Sequence, residues 1–447
     1  MAETRHHRPY SIQYIYNSRL ALVFESILIG LITGLLVVFF RYSLSRSDEF
    51  RRRLYGILLV SDSFYRTLFW AFALILLGLF LGWAAGTFPM IRGSGIPQIE
   101  GTLHRELVLN WRPELPLKIL TGIIGLGAGL SLGREGPSIQ IGAYVGKGVL
   151  QIFRRPYRER KILTTAASAA GLAAAFNAPL AGVLFVLEEL QAGFSPLGIA
   201  CAMGASITAD AVAGRFFGLG PVFNFHEIKV LSLHSLPWVV VLGIFAALLG
   251  DFFKRSLYFS QDLYTRLKIP QIARPLIPLM VSIPLGFFLF DATGGGHALI
   301  EALAAEGRTL EMIVLLFFVK IFFTSLCYGS GTSGGIFLPL LACGALLGDG
   351  FARLLVFWGF IAETQILNFL ILGMAAYFTG VVKAPVTGVI LILEMSGSFN
   401  HLGSLSAVCL VTFVSSELIN SRPVYTVLLE RMIKNIHSET RAGPARR

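Results

Sequence analysis

Gly133-Arg134-Glu135-Gly136-Pro137 stands inside a long apolar stretch and reads as a helix start placed within a membrane. Pro suits the first turn of a helix, where a backbone N–H has no partner to lose, and the flanking glycines allow a close approach. Three further turns share this grammar: Gly93-Ser94-Gly95-Ile96-Pro97, Gly334-Gly335-Ile336-Phe337-Leu338-Pro339 and Ser421-Arg422-Pro423-Val424-Tyr425. A helix start presents free N–H groups at the positive end of the helix dipole and attracts anions. Where several converge at membrane depth, an anion sheds its water without meeting a fixed full charge that would hold it permanently.

Composition agrees with a membrane setting. Of 447 residues 55% are hydrophobic and 14% charged, against about 25% charged in a soluble chain, and the mean hydropathy is +0.70. Apolar stretches able to enter a ~30 Å hydrocarbon core recur at 20–40, 67–88, 236–253, 276–290 extended by its flanks, 312–326 and 402–418. No small-residue cleavage site follows the first, so it is a retained span rather than a signal peptide. The net charge of +11 gathers in the N-terminal tail (Arg5, Arg8, Arg19), in Arg51, Arg52 and Arg53, in 154–161 and after Arg431. These clusters lack the interleaved aromatics of a nucleic-acid groove and follow the positive-inside tendency. Both termini are therefore expected in the cytoplasm, with an even number of crossings. Cys201, Cys327, Cys343 and Cys409 lie in apolar segments at no metal-ligand spacing and read as small packing residues.

The chain is a duplication. Ala178-Pro179-Leu180-Ala181-Gly182 through Glu188 aligns with Ala384-Pro385-Val386-Thr387-Gly388 through Glu394 at an offset of 206. Gly133-x-Glu135-x-Pro137 aligns with Gly335-x-Phe337-x-Pro339, and Gly142-Ala143 with Gly344-Ala345, at an offset of 202. Repeats in a transporter often have opposite topology and place interrupted helices at the midplane. The halves fall near 20–214 and 235–425, with short tails at 1–19 and 426–447 and an extramembrane link at 215–234 that carries Gly218, Gly220, Pro221 and two histidines. Small-residue steps at Gly78, Gly82 and Gly86, at Gly125, Gly129 and Gly133, and at Gly30 and Gly34 predict close helix packing in lipid.

Two motif matches carry no chemistry. Gly129-Leu130-Ser131-Leu132-Gly133 fits a nucleophile elbow, but no strand precedes it and no His lies in a comparable turn. Gly329-Ser330-Gly331-Thr332-Ser333-Gly334 fits a dinucleotide fingerprint, yet it follows a long apolar helix rather than a short strand. An intramembrane hydrolase would need a His near Ser131, and a structural scaffold has no use for Glu135.

Ionisable residues in apolar surroundings are expensive, about 2.5–3.5 kcal/mol even on the lenient insertion scale. At its helix start the Glu135 carboxylate occupies the N–H groups that a permeating anion would use, as a tethered competitor, and protonation weakens that hold. The alternative is a carboxylate that only complements the helix dipole. Glu188 and Glu189 end an apolar run, where a carboxylate opposes the dipole, so the pair calls for a basic partner, water or a function. Glu25 lies within the first span; Lys118, Arg134 and Glu100 read as structural charges or polar partners, and Asp251 and Lys254 as interfacial.

These residues resemble the CLC chloride channel and transporter family, most closely its bacterial proton-coupled branch. The likeness is carried by the turns at 93–97, 133–137 and 335–339, by Ala173-Ala174-Ala175-Phe176-Asn177-Ala178-Pro179-Leu180-Ala181-Gly182 and by Tyr425, and spans nearly the whole chain. The resemblance implies an all-α integral membrane fold, a single domain of two inverted repeats with about eighteen helices, many tilted or incomplete. It implies that Ser94 and Tyr425 donate hydroxyls to a central chloride and that the backbone N–H groups of Ile336 and Phe337 complete the site. Gly93, Gly95, Pro97, Arg134, Gly136, Pro137 and Lys118 support it. Glu135 becomes the external gate and proton-transfer residue, and Glu189 the internal proton acceptor that channels of the family usually lack. Ser at Ser94 goes with chloride, where Pro marks plant nitrate exchange and Met in a related motif the fluoride branch.

The expectation is a secondary transporter exchanging chloride for protons, with an uncoupled chloride channel as the alternative and no enzyme activity. It acts as a homodimer with one pathway per subunit, in lipid of a bacterial inner membrane, with no metal, cofactor, nucleotide or nucleic acid. The sequence ends 22 residues after Tyr425, which leaves no room there for the cytoplasmic CBS modules of many eukaryotic members. Leu190-Gln191-Ala192-Gly193-Phe194 lacks the basic residue often found after the acid pair, so a salt bridge that orients the internal acid is expected to be missing.

Overall fold

A computed structural model describes residues 12–61, 64–154, 156–190, 195–223, 225 and 230–441. The first eleven residues, 191–194 after the acid pair and the last six lie outside the described residues, and with them the expected missing salt bridge. Seventeen α-helices and no β-strand occur among the described residues. The first half runs α1 (Ile12–Ser61), α2 (Phe64–Thr87), α3 (Ile96–Leu103), α4 (Trp111–Gly127), α5 (Glu135–Ile152), α6 (Tyr157–Phe176), α7 (Pro179–Glu188) and α8 (Pro196–Phe217). The second runs α9 (Leu236–Arg266), α10 (Leu276–Phe288), α11 (His297–Ala305), α12 (Leu310–Gly329), α13 (Phe337–Phe357), α14 (Ile366–Val382), α15 (Pro385–Ser396) and α16 (Leu402–Leu418), and α17 (Val424–Arg441) follows. Eight segments among the described residues are long and apolar enough to cross a membrane, so the chain is a multi-pass membrane protein. Residues 12–19 already belong to α1, and 426–441 continue α17, where the sequence suggested tails.

Packing repeats with the sequence. Helix α1 lies on α6 and α8 as α9 lies on α14 and α16, and α5 lies on α6 as α13 lies on α14. Small residues set these distances: a methyl on Gly142 would strike the Ala167 carbonyl of α6, and one on its mate Gly344 would lie 2.6 Å from the Gly373 carbonyl of α14. Gly30 and Gly34 of α1 meet Ala205 and Ala209 of α8 in the same way. The stripe Gly125, Gly129, Gly133 is not a helix face, because α4 ends at Gly127 and Gly129 turns the chain at φ 100°.

Helices α3, α7, α11 and α15 have 8, 10, 9 and 12 residues, well short of the ~20 needed to span. Their ends lie within protein, where an unpaired N–H costs several kcal/mol. For α7 and α15 the partners are reciprocal. Glu188, closing α7, accepts from the N–H groups of Val386 (3.2 Å) and Thr387 (2.8 Å) at the start of α15. Glu394, near the end of α15, accepts from Leu180 (3.1 Å) and Ala181 (2.7 Å) at the start of α7. Each helix end meets the other's beginning, so the two are antiparallel. Equivalent helices that run in opposite directions make the repeats inverted. The requirement for a partner at Glu188 is met by helix N–H groups, not by a base or the interface.

A second symmetric device fixes the turns. Lys118 of α4 is fully buried and its Nζ donates to the carbonyls of Ile91 (2.9 Å) and Gly93 (2.7 Å) before α3. Its repeat mate Lys320 of α12, equally buried, donates to those of Ala292 (3.1 Å) and Gly294 (2.7 Å) before α11. Lys254 departs from the interfacial reading: it is buried in α9 and donates to the carbonyls of Gly380 (3.0 Å) and Arg422 (3.1 Å). Carbonyls at the end of α14 and the approach to α17 need a donor, and a long side chain supplies it. Asp251, one turn earlier, accepts from the Ser421 hydroxyl at 2.5 Å.

Replacing Glu394 by Ala leaves two helix-start N–H groups without an acceptor, at about 1–3 kcal/mol for such groups. The thermal midpoint of detergent-solubilised Glu394→Ala should fall by several degrees, whereas Glu394→Gln, which keeps one acceptor, should fall less. Equal midpoints for Glu394→Ala and the unmodified chain would show the cap to be dispensable.

Candidate functional site

The four predicted starts are all helix N-termini, opening α3, α5, α13 and α17. The loops before α3 and α5 are each bonded to the loop before α13, across the repeat boundary. Gly133 and Gly335 exchange N–H···O=C bonds of 2.6 and 2.7 Å, Gly93 donates to Thr332 (3.2 Å) and Gly334 donates to Gly93 (3.0 Å). The inverted symmetry therefore brings the first turns of α3, α5 and α13 together. Glycine is required at two of these contacts: a methyl on Gly136 would sit 2.7 Å from the Ser94 carbonyl oxygen, and Gly95 holds φ 90° as the N-cap of α3.

Ser94, Glu135, Ile336, Phe337 and Tyr425 are all fully buried. Ser94 Oγ accepts from the Ile96 N–H at 3.3 Å, which leaves its own hydrogen to donate. Tyr425 Oη has no hydrogen-bond partner among the described residues. The first N–H groups of α13, around Phe337, have no acceptor within their helix, and the Phe337 ring is held by Phe378, Phe176 and Phe185 at centroid distances of 4.8, 5.4 and 6.1 Å. The Glu135 carboxylate lies beside the backbone of Gly133 and Leu338, yet neither oxygen reaches full hydrogen-bond geometry with any described residue. Arg134, the N-cap of α5, approaches Glu135 Oε1 only to 3.9 Å. Pro97 and Pro137 occupy first-turn positions in α3 and α5.

The structure does not bring Glu189 into this cluster. It caps the end of α7, is 8% exposed, and its charged neighbours are Glu100 and Glu188. Tyr425 has both Glu189 and Glu135 in its electrostatic surroundings. Glu100, in α3, is buried with Oε2 unpartnered, a third carboxylate on this side.

Two cavities flank the buried site. One, about 520 Å³, is lined by Arg41, Arg51, Arg134 and Leu338 and adjoins Glu135. The other, about 530 Å³, is lined by Gly93, Pro97, Tyr328 and Arg431 and adjoins Ser94. The 215–234 link helps to wall the first: Pro221 and Val222 line it, and Phe223 stacks on His297 at 4.9 Å.

Sequence reasoning missed the start of α11, Gly294-Gly295-Gly296-His297, where Gly296 at φ 106° repeats the role of Gly95. It has neither the Ser nor the Pro of its mate, and only extending the duplication upstream would have found it. Ser131 donates to or accepts from the Thr324 hydroxyl at 2.7 Å, a packing role that closes the nucleophile reading.

The family model described as voltage gated chloride channel matches residues 77–417. The chain belongs to this CLC family. Among its CLC relatives, the H(+)/Cl(-) exchange transporter ClcA of Vibrio cholerae serotype O1 (strain M66-2) is 33% identical over 428 residues, 93% of this chain and 90% of that protein. ClcA of Salmonella schwarzengrund (strain CVM19633) is 33% identical over 439 residues, 95% of this chain and 91% of its own. The crystal structure of a slow cyanobacterial Cl-/H+ antiporter superposes with a TM-score of 0.86 at 32% identity, covering 92% and 98% of the two chains. A CLC-type fluoride/proton antiporter shares the fold, with a TM-score of 0.74 at 23% identity over 92% of this chain and 98% of that one.

In this CLC chain, Gly136→Ala should force α3 and α5 apart, an overpacking worth about 1–3 kcal/mol. The midpoint of thermal unfolding should drop by several degrees, while Gly56→Ala, whose methyl meets nothing within 4 Å, should leave it unchanged or raise it. A Gly136→Ala protein as stable as the parent would mean that the starts of α3 and α5 are not in fixed contact.

Proposed function

We propose that this protein exchanges chloride for protons across the membrane, with the anion held among the starts of α3, α5 and α13 and released through protonation of Glu135. The observation that carries this reading is a fully buried carboxylate with no hydrogen-bond partner among the described residues, lodged where helix starts converge. Such a group competes with an anion when charged and yields when neutral. The exchangers among its relatives support coupling over passive conduction.

The chain's residues divide the work as follows. Chloride enters from the cavity beside Ser94, loses water as Ser94 and Tyr425 donate their hydroxyls, and takes up the N–H groups of Ile336 and Phe337. It displaces the Glu135 carboxylate, which swings toward the cavity lined by Arg134. Protons reach Glu135 from Glu189, the buried acid at the end of α7. Lys118 acts by holding the carbonyls of Ile91 and Gly93, so that the Ser94 turn keeps its shape. Gly93, Gly95 and Gly136 let the turns touch. Donors of this kind discriminate weakly among monovalent anions, so bromide and nitrate are carried too.

The basic N-terminal stretch, together with Arg431 and Lys434, supports placing both termini in the cytoplasm of a bacterial cell. The exposed apolar side chains Leu180, Ile207, Val386 and Leu410 on the adjoining α7, α8, α15 and α16 support a homodimer interface, each subunit keeping its own pathway.

The test is proton movement in reconstituted vesicles under an imposed chloride gradient, with Glu135→Ala and Glu189→Ala alongside. Uphill proton flux is expected, lost in both variants while chloride flux persists. Because release needs the neutral carboxyl, turnover should rise as pH falls, and Glu135→Gln should flatten that dependence. Chloride flux without uphill proton flux in the unmodified protein would make it a channel.

A further inference from the structure

Neither Ser94 nor Tyr425 lines the cavity beside α3, but a second phenol does. Tyr328, one residue before the end of α12, is 6% exposed and lines that cavity together with Gly93 and Pro97. Its ring packs flat enough on Gly93 that a methyl there would lie 3.0 Å from the Tyr328 hydroxyl and 3.1 Å from Cζ. The hydroxyl therefore lies against the residue that precedes Ser94, on the cavity side of that turn. Tyr425, whose own hydroxyl is buried without a hydrogen-bond partner among the described residues, has Tyr328 in its electrostatic surroundings. The Tyr328 hydroxyl thus meets the Ser94 turn where the cavity ends.

The hydrogen-bond inventory gives this meeting a direction. Ser94 Oγ already accepts from the Ile96 N–H, which leaves its hydrogen to donate, and the Tyr328 hydroxyl, at the wall of the cavity, has a hydrogen to offer to what enters it. Donors with no fixed acceptor at the edge of a cavity suit an anion in passage, which loses water at this point and needs replacement donors. Packing on Gly93 would be served as well by a Phe.

We propose that Tyr328 is a third hydroxyl donor to the transported anion, acting at the step between the cavity beside α3 and the enclosed site. This rests on the exchange function above and adds a residue to it. The deciding variant is Tyr328→Phe, which keeps the ring against Gly93 and removes only the hydroxyl. Chloride binding to the purified protein by titration calorimetry should weaken roughly three- to tenfold, the scale of one hydrogen bond to an ion. The KM for chloride supplied from the Ser94 side should rise in proportion, with turnover at saturation changed less.

Unchanged binding and KM in a folded Tyr328→Phe protein would overturn the inference while leaving exchange intact. No chloride binding in the unmodified protein would overturn the proposed function and this residue's role with it. Should the variant fail to fold, bromide located by anomalous scattering in crystals of the unmodified protein decides: bromide beside the Tyr328 hydroxyl supports the role, and bromide in the enclosed site alone overturns it.

Discussion

A helix that starts inside a membrane leaves its first N–H groups without acceptors, and the architecture of this protein answers that one constraint. The groups cannot be left to lipid, so each start is either capped by protein or turned toward a site. Glu188 and Glu394 cap the starts of α15 and α7. The starts of α3, α5 and α13 are gathered together, and the Glu135 carboxylate lies beside the first turns of α5 and α13 with neither oxygen in full hydrogen-bond geometry among the described residues. The difference between a capped start and an uncapped one separates scaffold from site.

Inverted duplication is what makes such a gathering possible. Had the halves run parallel, the starts equivalent to α5 would face the same side of the membrane and lie far apart. Opposed, they meet at the symmetry axis, where Gly133 and Gly335 bond each other reciprocally. Lys118 and Lys320 show the same symmetry at the next shell, each a buried ammonium holding two carbonyls of a preceding turn. Among the described residues neither lysine is paired with a carboxylate within ion-pair distance, so each acts through the carbonyls it holds.

The two halves have nevertheless diverged where the ion path needs asymmetry. Ser94 faces the enclosed site, while its mate Gly295 lies at the cavity next to Glu135. Glu135 has Phe337 as its counterpart, so one start carries the gate and the other offers bare backbone and an aromatic wall. Tyr328 aligns with Leu126 at the same offset, which puts the extra hydroxyl on one mouth alone. Symmetry built the frame, and these substitutions gave it two different ends.

Much of this was legible in the sequence. The four Gly- and Pro-marked starts, the duplication, the membrane setting and the standing of Glu135 all follow from local rules, because helix initiation and hydrophobic partition depend on neighbours along the chain. The partners of Glu188, the burial of Lys254, the fifth start at Gly296 and the place of Tyr328 could not be read that way. Each depends on which distant backbone group lies opposite, 126 to 214 residues away for the contacts of Lys254 and Glu394. A carboxylate at a helix end looks the same in sequence whether it meets water or another helix's N–H groups. The sequence determined where helices begin inside the membrane; only the tertiary structure decided which beginnings are closed by a cap and which are left to an ion.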